Sequence, residues 1–217
     1  MDKETRTPTD TELREAIAAE RGELAAVLDG LSERQWDAPT LCAGWRVREV
    51  VAHVTMPYRY STDQIALELA EAGGNFATMA DRGARRDAAA LSAGELAATL
   101  RDNASHPWKP QVGGYAGALT HDVIHGLDYT VPLGVDRRVP ADRLRVVLGG
   151  LVTPEGLRFF GVDLTGVELR ADDLDWTFGS GTPVSGAAQD LALVLCGRRL
   201  PAGRLRGEPE QVARWCG

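Results

Sequence analysis

The chain has 217 residues, enough for one large or two small domains to bury a real core, and its apolar, charged and aromatic fractions are those of an ordinary globular protein. A net charge of −7 with no run of basic residues excludes nucleic acid and anionic membrane as expected partners, because both need a positive footprint. No apolar run reaches bilayer length, Met1–Arg6 lacks the apolar core of a signal peptide, and three scattered cysteines without a CxxC argue against a disulfide framework; a cytoplasmic protein with reduced thiols is expected.

The first nine residues are polar. Thr9 or Thr11 is placed to cap a helix running to about Leu28, with Leu13, Ile17, Leu24 and Val27 on one face and Gly30 as its stop. After a loop at Ala38-Pro39-Thr40, Val47, Val50, Val51 and Val54 form the stripe of a second helix, with His53 at the edge of the stripe. Pro57 should kink or end that helix, with a continuation to about Glu71. Gly73-Gly74 opens a stretch read as irregular, which carries Arg82, Arg85 and Arg86.

Ser92 and Glu95 fit a capping box at the start of a third helix, whose Leu96 and Leu100 face inward. His106-Pro107 lies in a loop and is read as surface. Gly113-Gly114 precedes a fourth helix that ends near Val131-Pro132, and Pro140-Ala141-Asp142 opens a fifth. Beyond about residue 153 the pattern changes. Val167–Arg170 and Leu174–Phe178 alternate apolar and polar residues, which predicts two short antiparallel strands. A turn at Gly179–Gly181, a buried helix over Ala187–Leu195 and a last helical turn or two over Glu208–Trp215 follow. The expected architecture mixes α and α/β: an up-down four-helix bundle over residues 1–153, then a small α+β domain over 154–217.

The chemistry concentrates in Thr120-His121-Asp122-Val123-Ile124-His125-Gly126-Leu127-Asp128. On a helix, His121, His125 and Asp128 fall within an arc of about 60°. Ile124, Leu127 and Val131 line the neighbouring face, so the polar trio should border a cavity. Two imidazoles one turn apart can share a metal ion, and a carboxylate a turn further on can orient them. Asp122 points about 100° away from His121 and is left outside the site. In a bundle a facing helix can add His53, and three neutral imidazoles leave a zinc ion one open position. Cys42 and the other thiols are read as structural.

Two stretches carry a resemblance. Pro39-Thr40-Leu41-Cys42-Ala43-Gly44-Trp45-Arg46-Val47-Arg48-Glu49-Val50-Val51-Ala52-His53 is similar to the N-terminal signature of the mycothiol-dependent maleylpyruvate isomerase family, which belongs to the DinB-like metal-binding four-helix bundles. His125-Gly126-Leu127-Asp128 with Pro132-Leu133-Gly134 resembles its second signature, and the tail resembles its small C-terminal domain, related to sterol-carrier folds. The resemblance implies a divalent metal, usually zinc, on His53, His121 and His125, and mycothiol as the metal-bound thiolate. It implies an isomerase or S-transferase acting on a small electrophile; with nucleic acid and membrane already set aside on charge, a monomer or homodimer is expected.

The family's catalytic arginine falls among Arg82, Arg85 and Arg86, with Arg82 taken as the position. Asp128 is taken to hold a ligand histidine, and Arg198 to bind the thiol, with Arg170 and the 82–86 arginines as further carboxylate binders. One departure is that the isomerase has glutamate where this chain has His121. Two other classes stay open: a metal or small-molecule binder without turnover, and a three-histidine non-haem iron enzyme.

Overall fold

The computed structural model describes residues 6–217. In chain order its elements are α1 (Asp10–Asp29), α2 (Glu33–Trp36), α3 (Val47–Arg59), α4 (Thr62–Glu71), α5 (Phe76–Ala90), α6 (Ala93–Asp102), α7 (Gly114–Thr130), α8 (Ala141–Leu151), α9 (Pro154–Phe160), β1 (Val167–Ala171), β2 (Thr177–Gly179), β3 (Thr182–Gly186), α10 (Ala188–Leu195), β4 (Leu205–Gly207) and α11 (Pro209–Val212). None of these helices is long and apolar enough to cross a membrane.

Four helices form the expected bundle: α1 packs on α6 and α7, and α3 packs on the same two. Local chemistry starts them. Thr9 and Glu12 cap α1 reciprocally, and Ser92 and Glu95 do the same for α6, so both capping boxes satisfy backbone N–H groups that a helix start leaves unpaired. The valine stripe of α3 has poor helix propensity and is held by burial instead: Val47, Val50, Val51 and Val54 pack with Leu24 and Leu28 of α1 and with Leu96 and Leu100 of α6.

A second apolar cluster joins Leu119, Val123 and Leu127 of α7 to Val147 and Leu148 of α8, and then to Leu169, Val184 and Leu191 of the C-terminal part. The core therefore runs unbroken past residue 153, the expected domain boundary. Every residue of α10 is buried, which makes it the wedge between bundle and sheet.

Three expectations change. The irregular stretch after Gly73-Gly74 is the helix α5. The Asn75 side chain accepts a hydrogen bond from the Thr78 N–H at 3.0 Å, and Met79, Ala80, Gly83, Ala84, Asp87 and Ala88 are its buried face. Pro57 stays within α3, which ends two residues later, and the Ser61 cap starts α4 as a separate helix. Pro57 has no N–H for the carbonyl four residues back, and Arg59 Nη2 donates to the neighbouring Ala52 carbonyl at 2.7 Å.

The sheet has four strands in the order β2-β1-β3-β4. The predicted antiparallel pair is β1 and β2, but β3 lies parallel to β1, with Leu169 opposite Val184, and β4 completes the edge. Pro183 and Gly186 interrupt the alternation that would have marked β3 in the sequence.

Gly126 lets α1 reach α7. A Cβ there would lie 2.6 Å from one terminal methyl of Leu24, which is almost fully buried. Gly126→Val is expected to destabilise the fold by about 1–3 kcal/mol through overpacking. Adding Leu24→Ala should recover part of that loss, as read from urea midpoints of the single and double variants.

Candidate metal centre

The centre is built from two helices of the bundle. α3 presents His53, buried beside its valine stripe, and α7 presents His121 and His125 one turn apart. One ring nitrogen from each histidine lies within 4.8 Å of the other two, so the expected convergence is present. His53 Nε2 sits 3.3 Å from His121 Nε2. Two ligand nitrogens on one tetrahedral zinc, each at about 2.0–2.1 Å, would be separated by about 3.3–3.4 Å, so the spacing suits a shared ion.

Both α7 histidines are held from behind. His125 Nδ1 is 3.0 Å from Asp128 Oδ2, and His121 Nδ1 is 2.9 Å from Asp122 Oδ1. A carboxylate accepting from Nδ1–H fixes the tautomer whose Nε2 lone pair faces the cluster. Asp128 does this as expected. Asp122, placed outside the site on helical phase alone, also does it; its adjacent side chain bends back to the ring.

Each carboxylate is in turn held by an arginine. Arg21 Nε donates to Asp122 Oδ2 at 2.7 Å with both side chains fully buried, and Arg21 Nη1 donates to the His106 carbonyl at 2.8 Å. Arg198 donates from Nε to Asp128 Oδ1 at 2.7 Å and from Nη2 to Oδ2 at 2.9 Å. Arg198 was expected to bind the thiol; here its planar fork is spent on Asp128. The result is two parallel chains of contact, Arg21–Asp122–His121 within the bundle and Arg198–Asp128–His125 across to the C-terminal part.

The electrostatics suit neutral ligands. Burial, then the adjacent imidazoles, push His53 well below the ordinary imidazole range, and burial likewise lowers His125 against the opposing pull of Asp128. Burial also opposes the charge on Asp128, but hydrogen bonds from His125 and Arg198 outweigh it and hold the carboxyl below its usual range. Cys42 sits near the same Asp128–Arg198 pair, and burial pushes its thiol up to about 11, so it stays protonated at neutral pH. Among the described residues His53 Nδ1 is buried with no hydrogen-bond partner, whereas a carboxylate holds Nδ1 of each of the other two histidines.

Two indoles complete the surroundings. The Trp45 ring lies 5.2 Å from that of His53, with its Nε1–H donating to Asp81 at 2.7 Å. The half-buried Trp108 ring lies 5.2 Å from that of His121. Neither was singled out in the sequence, where a tryptophan gives no phase or spacing to read.

The arginines of α5 go elsewhere. Arg82 pairs with Glu71 at 3.0 Å, Arg85 with Asp81 and the Gly44 carbonyl, and Arg86 with Glu68 at 2.6 Å. Arg170 pairs with Glu168 on its own strand. His106, read as surface, is half-buried, with its ring 5.0 Å from that of Tyr58. A separate cleft of about 550 Å³ is lined by Arg137, Arg138, Arg204 and Arg206 among Asp136, Asp172, Asp173 and Asp190; none of the three clustered histidines borders it.

Replacing Asp128 by Asn removes the charge but keeps the shape. Asp128→Asn is expected to weaken zinc binding about 10–100-fold. Arg198→Ala, which frees Asp128 from the C-terminal part, should move affinity in the same direction; competition with a chromophoric zinc chelator reads both.

Comparison with known proteins bears on the fold and on the family. No curated protein matches the chain. Among solved structures it resembles a histidine-to-alanine mutant of the mycothiol-dependent maleylpyruvate isomerase, with a TM-score of 0.57 at 13% identity over 91% of this chain and 92% of the other. It also resembles the crystal structure of the mycothiol-dependent maleylpyruvate isomerase, with a TM-score of 0.51 at 14% identity and the same coverage of each chain. At such identities the likeness concerns the fold. Residues 17–128, just over half the chain, match the family described as the mycothiol maleylpyruvate isomerase N-terminal domain, and the protein belongs to that family.

Proposed function

We propose that this protein is a divalent-metal-dependent, mycothiol-using isomerase or S-transferase acting on a small electrophile. The observation that supports it most is the meeting of three imidazoles from α3 and α7, two of them oriented by buried carboxylates. Family membership supplies the thiol and the reaction class. Zinc suits this donor set, since three neutral nitrogens leave a tetrahedral ion one position for a further ligand. When bound, such an ion supplies Lewis acidity that favours the thiolate form of a coordinated thiol at neutral pH.

The chain's own residues do the rest. Asp122 and Asp128 keep the Nε2 lone pairs of His121 and His125 turned to one point. Arg21 and Arg198 answer the charge of those carboxylates, so neither is left as an unpaired buried anion. Burial keeps His53 and His125 unprotonated and therefore able to ligate. Cys42 remains a thiol, which leaves the nucleophile's part to the small-molecule thiol. The resemblance implies that His121 takes the place of a glutamate in the isomerase, and a neutral ligand there would leave a bound ion one charge more positive, favouring thiolate further.

Protein purified without added metal is expected to carry close to one equivalent of zinc. His53→Ala and His125→Ala should lose that metal, and with it mycothiol-dependent turnover by more than the roughly 100-fold that removal of an outer partner can cost. Stripping the wild type with a chelator should abolish turnover, and zinc should restore it. Stoichiometric metal in both variants would overturn the site, and iron with oxygen uptake would favour an oxygenase.

A further inference from the structure

We infer that Asp81 is a positioning residue for the metal centre, acting through the Trp45 indole on His53; this rests on the metal-binding reading above. The inference starts from an asymmetry among the three histidines. His121 and His125 are each held at Nδ1 by a carboxylate of their own helix. His53 has no such partner among the described residues. Apart from the other two imidazoles, the aromatic ring packed against it is Trp45, with centroids 5.2 Å apart. On these contacts an indole, rather than a carboxylate, limits how the third ligand ring can turn.

The indole is itself fixed from α5. Its Nε1–H donates to Asp81 Oδ1 at 2.7 Å, the length of a charge-assisted bond. Arg85, one turn further along α5, donates from Nε to both Asp81 oxygens at 3.0 Å and from Nη2 to the Gly44 carbonyl at 3.2 Å. Hydrogen bonds from Arg85 first and Trp45 next hold the Asp81 carboxyl below its usual range, so it is ionised at neutral pH. The Asp81–Arg85 pair thus grips two successive residues, Gly44 by its carbonyl and Trp45 by its side chain. Gly44 makes the turn at φ +80°, where glycine is favoured. On the other arm of the same loop the Leu41 N–H donates to the Asp128 carbonyl at 2.9 Å. The loop is therefore pinned to α7 at Asp128 and to α5 at Asp81. Trp45 is buried, so its N–H needs an acceptor; without Asp81 it loses the bond that sets the rotation of the ring against His53.

Two readouts test this: zinc affinity by chelator competition, and the visible d–d spectrum of the cobalt(II)-substituted protein, which reports how the ligand nitrogens sit around the ion. Asp81→Leu is expected to weaken zinc about three- to tenfold, less than loss of a carboxylate bonded directly to a ligand histidine, and to alter the cobalt spectrum. Asp81→Asn, whose amide oxygen still accepts the indole N–H, should stay within about twofold of the wild type. Trp45→Phe removes the donor, so adding Asp81→Leu to it should cost no further affinity. The inference is overturned if folded Asp81→Leu keeps wild-type affinity and spectrum, or if the two substitutions weaken zinc additively. A loss of affinity that follows the urea midpoint while the cobalt spectrum stays unchanged overturns it too. Should Trp45→Phe fail to fold, the comparison of Asp81→Leu with Asp81→Asn still decides. Wild-type protein that binds no zinc, or a His53→Ala variant that keeps it, overturns the parent site instead.

Discussion

The structure depends on burying two carboxylates in the middle of an apolar bundle. Asp122 and Asp128 are both inaccessible to solvent, and an isolated carboxylate there would cost several kcal/mol of lost hydration. Each is made tolerable by an arginine on one side and an imidazole N–H on the other. Buried pairs of this kind are weak contributors to net stability, because attraction and desolvation nearly cancel. Their value lies in direction: a carboxylate fixed by an arginine can hold an imidazole ring in one orientation. The fold spends its hydrophobic energy elsewhere, in the two leucine- and valine-rich clusters, and uses the polar chains to aim three nitrogens.

The helical framework was legible because its signals are local. The Ser92–Glu95 capping box, the valine stripe of α3 and the apolar face of α1 each lie within one or two turns of sequence, and each becomes the element it predicts. The His121–His125 pair was legible for the same reason, since helical spacing puts both on one face. α5 was missed because its start depends on one asparagine side chain, and its alanine- and arginine-rich body gives a weak pattern. β3 was missed because its pairing to β1 is parallel and distant, with a proline and a glycine breaking the alternation.

The site's supporting residues were the least legible. Arg21 and Asp122 are separated by 101 positions, and no periodicity in either helix announces that they touch. Asp122 was excluded by phase, an argument that fixes the direction of a Cα–Cβ bond but not where a short flexible side chain then turns. Arg198 was singled out for its family position, yet its contact with Asp128 spans 70 residues and redirects it from ligand to carboxylate. Trp108 follows a proline in a loop, and only the packing of that loop against α7 brings its ring beside His121.

The Arg198–Asp128 contact ties the tail of the chain to the histidines, so loading an ion there would be linked to ordering the tail. Whatever free energy the C-terminal part contributed to tightening such an ion, the ion would return by protecting that part from unfolding. The amides of α10 and β4 would therefore exchange more slowly with solvent deuterium once zinc is added, although neither element supplies a ligand.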